Sequence, residues 1–252
     1  DIYHGTFVDF ATSRNMLLEC AELLDYDYFL MMDSNDELKN SLALKEAIAS
    51  GTVDAGMMKQ HWYMGLGHEI EYFNIRLIRS SCKFRFKGAV HEYIHIPDGH
   101  VIEKWPHIVL YQDRVQDNDG KTKERWTKDA ELLLKAYHDD PTDARTQYYL
   151  AQTFECLEQL DHALTYYSIR ASHVNGFIEE RFISQLKVAH YEKDAIQQIH
   201  FYLEACQIID DRAEPYVELA KIFRLKNAFR LAFIFAQEAC RLPYPLGQSK
   251  IV

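Results

Sequence analysis

The sequence predicts a chain in two parts: an α/β domain built on a mixed sheet, then an all-α region of helical repeats. Three observations predict it. Up to about residue 118, short apolar runs alternate with turn signals. From about residue 121 onward, apolar residues recur at helical spacing almost without interruption. Within that second stretch, small residues at Ala171, Cys206 and Cys240 close three similar segments, spaced 35 and 34 positions apart. A period of about 34 residues is that of the tetratricopeptide repeat, two helices per unit. The predicted domains are 1–118 and 119–252.

The elements follow in order. Thr12 or Ser13 is placed to cap a helix running to about Leu24, with Met16, Leu17, Cys20, Ala21 and Leu24 on one face. Tyr28 to Asp33 reads as a buried strand that ends in the acids Asp33, Asp36 and Glu37. A helix from about Ser41 to Ala49 stops at Gly51. Val53–Met64, Tyr72–Arg79, Val90–Ile96 and Val101–Ile102 read as strands, with turns at Gly65-Leu66-Gly67 and Pro97-Asp98-Gly99. The polar segment Val115–Lys123 marks the boundary.

The three repeat segments are Leu150–Ala171, Leu186–Cys206 and Leu219–Cys240. Ala151, Ala163, Ala220 and Ala232 are small enough to let helices approach closely. Such units bury a core only by stacking, and three are about the minimum.

Composition narrows the function classes. Hydrophobic residues make up 48 %, enough for a core, and aromatics reach 13 %. The net charge of -10 and the lack of a basic cluster disfavour a nucleic-acid partner. The five cysteines, Cys20, Cys82, Cys156, Cys206 and Cys240, are widely spread with no CxxC. They read as reduced residues of a cytoplasmic protein rather than a disulfide frame. No apolar run approaches the ~20 residues that span a bilayer.

Five places carry candidate chemistry. Asp33-Ser34-Asn35-Asp36 offers closely packed oxygens at a strand tip, where open α/β sheets bind ligands. Oxygens of this kind suit a hard divalent cation that also holds a diphosphate. Asp33, Asn35 and Asp36 are therefore metal candidates, although a solvated turn with capping acids before Ser41 has the same composition. Arg14 and Asn15, near the start of the first helix, can meet a phosphate or hold Asp33; a surface pairing of Arg14 with Asp9 or Glu19 is the plainer reading. His91 and Glu92, after Gly88, would point to opposite faces of a strand. His107 can complete a metal's coordination or serve as a hydrogen-bonded structural residue. Trp62 can stack on a sugar ring or fill the core.

These elements in this order resemble the family 2 glycosyltransferases of the GT-A fold, in the group with a C-terminal tetratricopeptide region. The matching residues are DFATSRN (9–15), YFLMMDSNDEL (28–38), RLIRSSCKFRFKGAVHEYI (76–94) and RTQYYLAQTFECLEQLDHALTYYSIRA (145–171). The resemblance implies an inverting transfer of a sugar from a nucleotide-sugar donor of the UDP class to a glycan or protein acceptor, assisted by manganese or magnesium. It places the family's Asp-x-Asp motif on Asp33-Ser34-Asn35, with Asn35 where the family has an acid. It makes Glu92 the candidate general base and His91 its support or substitute. It also implies that the family's opening strand, helix and strand, which carry much of the uracil site, lie outside this sequence. Asn35 and that missing front support a second expectation: a catalytically inactive, glycosyltransferase-like scaffold that binds a protein partner through its repeats.

Overall fold

The computed structural model describes residues 4–49, 51–115 and 119–242. The chain divides into two compact units, Asp1–Arg125 and Trp126–Val252. Part of the expected boundary, residues 116–118, lies outside the described residues.

The first unit is a five-stranded mixed sheet with helices α1 (Phe10–Ala21) and α2 (Ser41–Ile48). Its strands are β1 (Tyr28–Leu30), β2 (Glu37–Lys39), β3 (Ala55–Tyr63), β4 (Glu69–Arg79) and β7 (Ile102–Asp113). They lie in the order β1-β4-β3-β7-β2. Only β3 and β7 run parallel; the other pairs are antiparallel. A separate two-stranded ribbon joins β5 (Arg85–Lys87) to β6 (Tyr93–His95).

Alternation along the strands sends neighbouring residues to opposite faces. Leu77 packs with Val53, Met58, Trp105, Ile108, Leu110 and Leu44 of α2. Its neighbour Ile78 packs with Ala55, Leu18 of α1, and Phe84 and Ile94 beside the ribbon. The sheet thus carries α2 on one face and α1 with the ribbon on the other.

Several sequence expectations are corrected here. The cap of α1 is Asp9, whose carboxylate accepts from Thr12 N at 2.7 Å, not Thr12 or Ser13. The strand expected over 28–33 is the three-residue, half-buried edge strand β1, because it pairs on one side only and Asp36 N donates back to Asp33 O at 3.0 Å. The strand expected over 90–96 shrinks to Tyr93–His95. His91 stands in a turn with φ +53°, so His91 and Glu92 are not opposed strand neighbours. The longest strand, β7, is visible in the sequence only at 101–102. Pro106 hides it: β7 skips from Trp105 opposite Met58 to Val109 opposite Lys59, and the irregularity absorbs Pro106, His107 and Ile108.

Helix α3 (Asp119–Asp139) spans the division at Arg125, and the second unit continues with α4 (Ala144–Cys156), α5 (Leu160–Ser172), α6 (Ile178–Tyr191), α7 (Ala195–Ile208), α8 (Glu214–Leu225) and α9 (Phe229–Arg241). Each expected repeat falls on one helix pair: α4 with α5, α6 with α7, α8 with α9. Consecutive helices pack side by side through short connections. Ala151, Ala163, Ala189 and Ala205 are fully buried at their contacts. Charged groups lock the units together. Glu155 of α4 accepts from Lys187 Nζ at 2.7 Å and Tyr191 OH at 2.8 Å on α6, and from Tyr167 OH at 2.7 Å on α5.

Candidate functional site

The acidic turn after β1 is where most of the predicted site residues meet, and Arg14 is what joins them. Asp9 starts α1 so that Arg14 faces the turn. Arg14 Nη2 donates to Asp33 Oδ1 and Arg14 Nε donates to Glu92 Oε1, both at 2.6 Å. Its guanidinium also lies over the Phe86 ring, 5.4 Å from the centroid. Asn15 locks α1 to β5: Phe86 N donates to Asn15 Oδ1 at 2.7 Å, and Asn15 Nδ2 donates to Phe86 O at 3.0 Å.

A second arginine, which the sequence did not single out, completes the cluster. Arg76 is the unpaired residue of a bulge in β4, between Leu77 opposite Gly56 and Ile75 opposite Met57. Bulges re-aim side chains. Arg76 is buried, and its guanidinium approaches Asp33 Oδ2 at 3.4 Å and Gln60 Oε1 at 3.3 Å. Gln60 and Gln112 are buried beside it on β3 and β7, and Gln112 Nε2 donates to Asp36 Oδ1 at 2.6 Å. The other Asp36 oxygen accepts from Asp33 N at 2.8 Å. Gln60, Arg76 and Gln112 could be found only by placing polar residues in otherwise apolar strands, a weak signal without the register.

The electrostatics follow. Burial works against ionisation of Asp33, but Arg14 and then Arg76 outweigh it and hold the carboxyl below its ordinary range. Burial likewise works to lower the Arg14 pKa, and Asp33 with Glu92 raise it above its usual value. Tyr72, edge-on to Trp62 at 5.1 Å, is pushed up to about 12, chiefly by burial. The cluster of two arginines, Asp33 and Glu92 is therefore charge-balanced.

The remaining predicted residues stand apart from this cluster. Asn35 is exposed. His107 is exposed in the β7 irregularity, and its carbonyl accepts from Asn40 Nδ2 at 2.6 Å. Trp62 is half-buried under the Arg114 guanidinium, which lies 3.6 Å from its ring centroid. The residues present do not fit a resident manganese or magnesium ion. The two guanidiniums on the Asp33 oxygens already balance the negative charge that a hard dication would need, and Asp36 is held by Gln112 Nε2 and Asp33 N. Among the described residues, the group of His, Cys, Asp and Glu atoms close enough to share a metal is a different one, Asp54, Cys82 and His100.

The charge balance makes a direct prediction. Asp33→Asn removes the ionic part of two arginine contacts. Because the Asp33 side chain is 34 % exposed, solvent screening limits the loss to about 1–1.5 kcal/mol at neutral pH. A carboxyl held below its unfolded value stabilises fully above about pH 4, and that contribution disappears as pH falls through the folded-state value. Denaturant melts of wild type and variant should therefore converge in acid. A gap that stays constant from neutral pH into acid would refute the ionic account.

No family model matches the sequence. No match to a curated protein was found. Solved structures with a similar arrangement include MamA, at 12 % identity and TM-score 0.41, covering 49 % of this chain and 72 % of that one. MamA from MSR-1 matches at 15 % identity and TM-score 0.38, covering 51 % of this chain and 81 % of that one. A thermophilic TPR protein of Thermus thermophilus matches at 15 % identity and TM-score 0.34, covering 49 % and 69 %. The second unit is a region of helical repeats, with the pairs α4–α5, α6–α7 and α8–α9 in succession.

The expectation of a sugar-transferring enzyme is corrected. The groups assigned to the chemistry are engaged elsewhere: Asp33 with Arg14 and Arg76, Asp36 with Gln112, and Glu92 with Arg14. No described helix is long and apolar enough to cross a membrane.

Proposed function

We propose that this chain is a helical-repeat scaffold that binds a segment of a protein partner. The observation that carries the reading is an open groove of about 460 Å³ running from α6 to α8. Leu186 and Val217 supply apolar surface, Tyr191 an aromatic wall, and Lys187, His190 and Glu218 polar groups along it. Two successive repeats thus offer an apolar floor with mixed charge, which suits an amphipathic peptide. The Glu155 contacts to Lys187 and Tyr191 hold this wall in place before any partner arrives, so less ordering is needed on binding. In this reading the first unit is glycosyltransferase-like in its order of motifs and contributes a folded platform rather than sugar transfer.

The experiment places a photo-crosslinking residue at Val217, and separately at Ile196, which is 74 % exposed on α7. In cells of the source organism, a discrete protein adduct is expected from position 217 and none from 196. Val217→Arg in an affinity-tagged chain should abolish co-purification of that same protein. Equal adducts from both positions, or none from the groove, would overturn the reading.

A further inference from the structure

Three segments that are distant in sequence meet at one end of the sheet in the first unit. Asp54 lies one step before the rung on which Ala55 pairs with Ile78 of β4 and Ile102 of β7. Cys82 closes the 3-10 turn Ser80–Cys82 that follows β4, and His100 ends the turn that precedes β7. Asp54 is fixed by its backbone: its N–H donates to Val101 O at 2.9 Å, and its carbonyl accepts from Arg79 N at 2.8 Å. The strand register, rather than any local motif, therefore brings the three side chains together.

Their donor atoms converge. His100 Nδ1 is 3.1 Å from Asp54 Oδ2 and 4.0 Å from Cys82 Sγ, and Cys82 Sγ is 3.6 Å from Asp54 Oδ1. One ligand atom from each residue lies within 4.8 Å of the others. A nucleophilic triad would set acid and thiol on opposite ring nitrogens. Here both approach the same nitrogen, Nδ1, so the arrangement closes on a point instead of forming a relay.

We propose that Asp54, Cys82 and His100 bind a divalent zinc ion. Tetrahedral zinc with sulfur at ~2.3 Å and nitrogen or oxygen at ~2.0–2.2 Å sets its donors about 3.4–3.6 Å apart. His100 Nδ1 lies 3.1 Å from Asp54 Oδ2 and 4.0 Å from Cys82 Sγ, on either side of that range, and Cys82 Sγ lies 3.6 Å from the other carboxylate oxygen, so rotation of the side chains, the carboxylate included, forms the site. Thiolate and imidazole select zinc over magnesium or calcium. The Asp54 carboxylate is held from behind: Arg79 Nε donates to Asp54 Oδ1 at 3.2 Å, and Val101 N donates to Oδ2 at 3.0 Å. Ligating carboxylates are characteristically oriented by such outer bonds. The Phe84 ring stands edge-on to the His100 ring at 4.8 Å and limits its rotation. Binding displaces the Cys82 thiol proton to solvent and takes the neutral His100 imidazole with its proton on Nε2. Three protein ligands leave a fourth position for water or for a donor from outside the chain.

The full chain, reduced and stripped with a chelator, is titrated with zinc against a chromophoric chelator, and in parallel with cobalt. The expected result is a single zinc ion per chain. The cobalt form should carry a near-ultraviolet thiolate charge-transfer band and intense visible bands of low coordination number. Cys82→Ser should remove the charge-transfer band, and Cys82→Ser and His100→Gln should each weaken zinc binding on the order of tenfold or more. Cys20→Ser should change neither. Zinc should raise the melting temperature of the wild type and not of His100→Gln, by mass action on the native state. If Cys82→Ser fails to fold, His100→Gln decides alone. The proposal is overturned by substoichiometric binding, by a cobalt form without the thiolate band, or by variants that bind as the wild type does.

Discussion

Replacing Arg170 with alanine is expected to destabilise the helical unit by about 3–5 kcal/mol, the cost of breaking a buried ionic cluster from one side. Arg170 is on α5 and has no exposed surface. Its Nη1 donates to His173 O at 3.0 Å and its Nη2 to Phe177 O at 2.7 Å. Both carbonyls belong to the connection between α5 and α6, so this one side chain ties the first repeat to the second. Its Nε lies 3.8 Å from Glu180, which is 1 % exposed and has Arg145 as its other cation at 3.1 Å. Alanine removes the Arg170 bonds to both carbonyls, leaving Phe177 O with Arg181 N at 3.4 Å, and leaves Glu180 half-compensated. Burial already raises the Glu180 pKa, against the pull of Arg145 and Arg170. Losing Arg170 raises it further. A carboxyl raised above its unfolded value of about 4.3 costs nothing below that value, and its penalty grows as pH rises from there through the folded value. The deficit of the variant should therefore be larger at mildly alkaline than at mildly acidic pH, read from denaturant midpoints. Adding Glu180→Leu should recover part of the loss, since an apolar pair can replace a buried ionic one. A loss below about 1 kcal/mol would show that the cluster is not what joins the repeats.

Arg170 also marks where sequence reasoning stops. Charged residues in a helical pattern read as surface, so the repeats were legible from small residues such as Ala151 and Ala163 but not from the buried charges between them. The small residues recur because every unit packs on its neighbour in the same way, and periodic packing writes a periodic sequence. The sheet has no such repetition. β1 and β2 are three residues each, below the length at which alternation can be seen, and β7 is interrupted at Pro106. That Arg14 reaches Asp33 was one of the two readings the sequence left open for it, and its contact with Glu92 comes from the fold. Whether the carboxylates of the acidic cluster were free was not legible, because the deciding partner, Arg76, is 43 positions from Asp33 and is aimed by a bulge. Asp54, Cys82 and His100 were invisible for the same reason: 28 and 18 positions separate the interacting pairs, with no spacing rule to join them.

Gly56→Ala is expected to cost the first unit about 3 kcal/mol, the upper end for overpacking by one carbon. Gly56 is in β3, where the indole of Trp105 on β7 lies across the strand. An added Cβ would fall 1.9 Å from Trp105 Cζ3 and 2.3 Å from Cη2. The ring cannot readily yield. Trp105 is 4 % exposed within the cluster of Val53, Met58, Leu77, Ile108 and Leu110, and its Nε1 donates to Glu103 Oε2 at 2.9 Å. Relief must come from expelling the indole or from shifting β3 against β7. Either route changes the environment of Trp105, so a red-shifted tryptophan emission should accompany the lost stability. Trp105→Leu makes room for the methyl, and the double variant should be more stable than the sum of the two losses predicts. Strict additivity, or a loss within about 0.5 kcal/mol, would rule out the clash. The consequence reaches the acidic turn. The bulge that aims Arg76 lies between Gly56 and Met57, so a shifted β3 withdraws one of the two guanidiniums that depress the Asp33 pKa. Asp33 in the Gly56→Ala variant should titrate at higher pH than in wild type, which would tie the packing under the sheet to the charge balance above it.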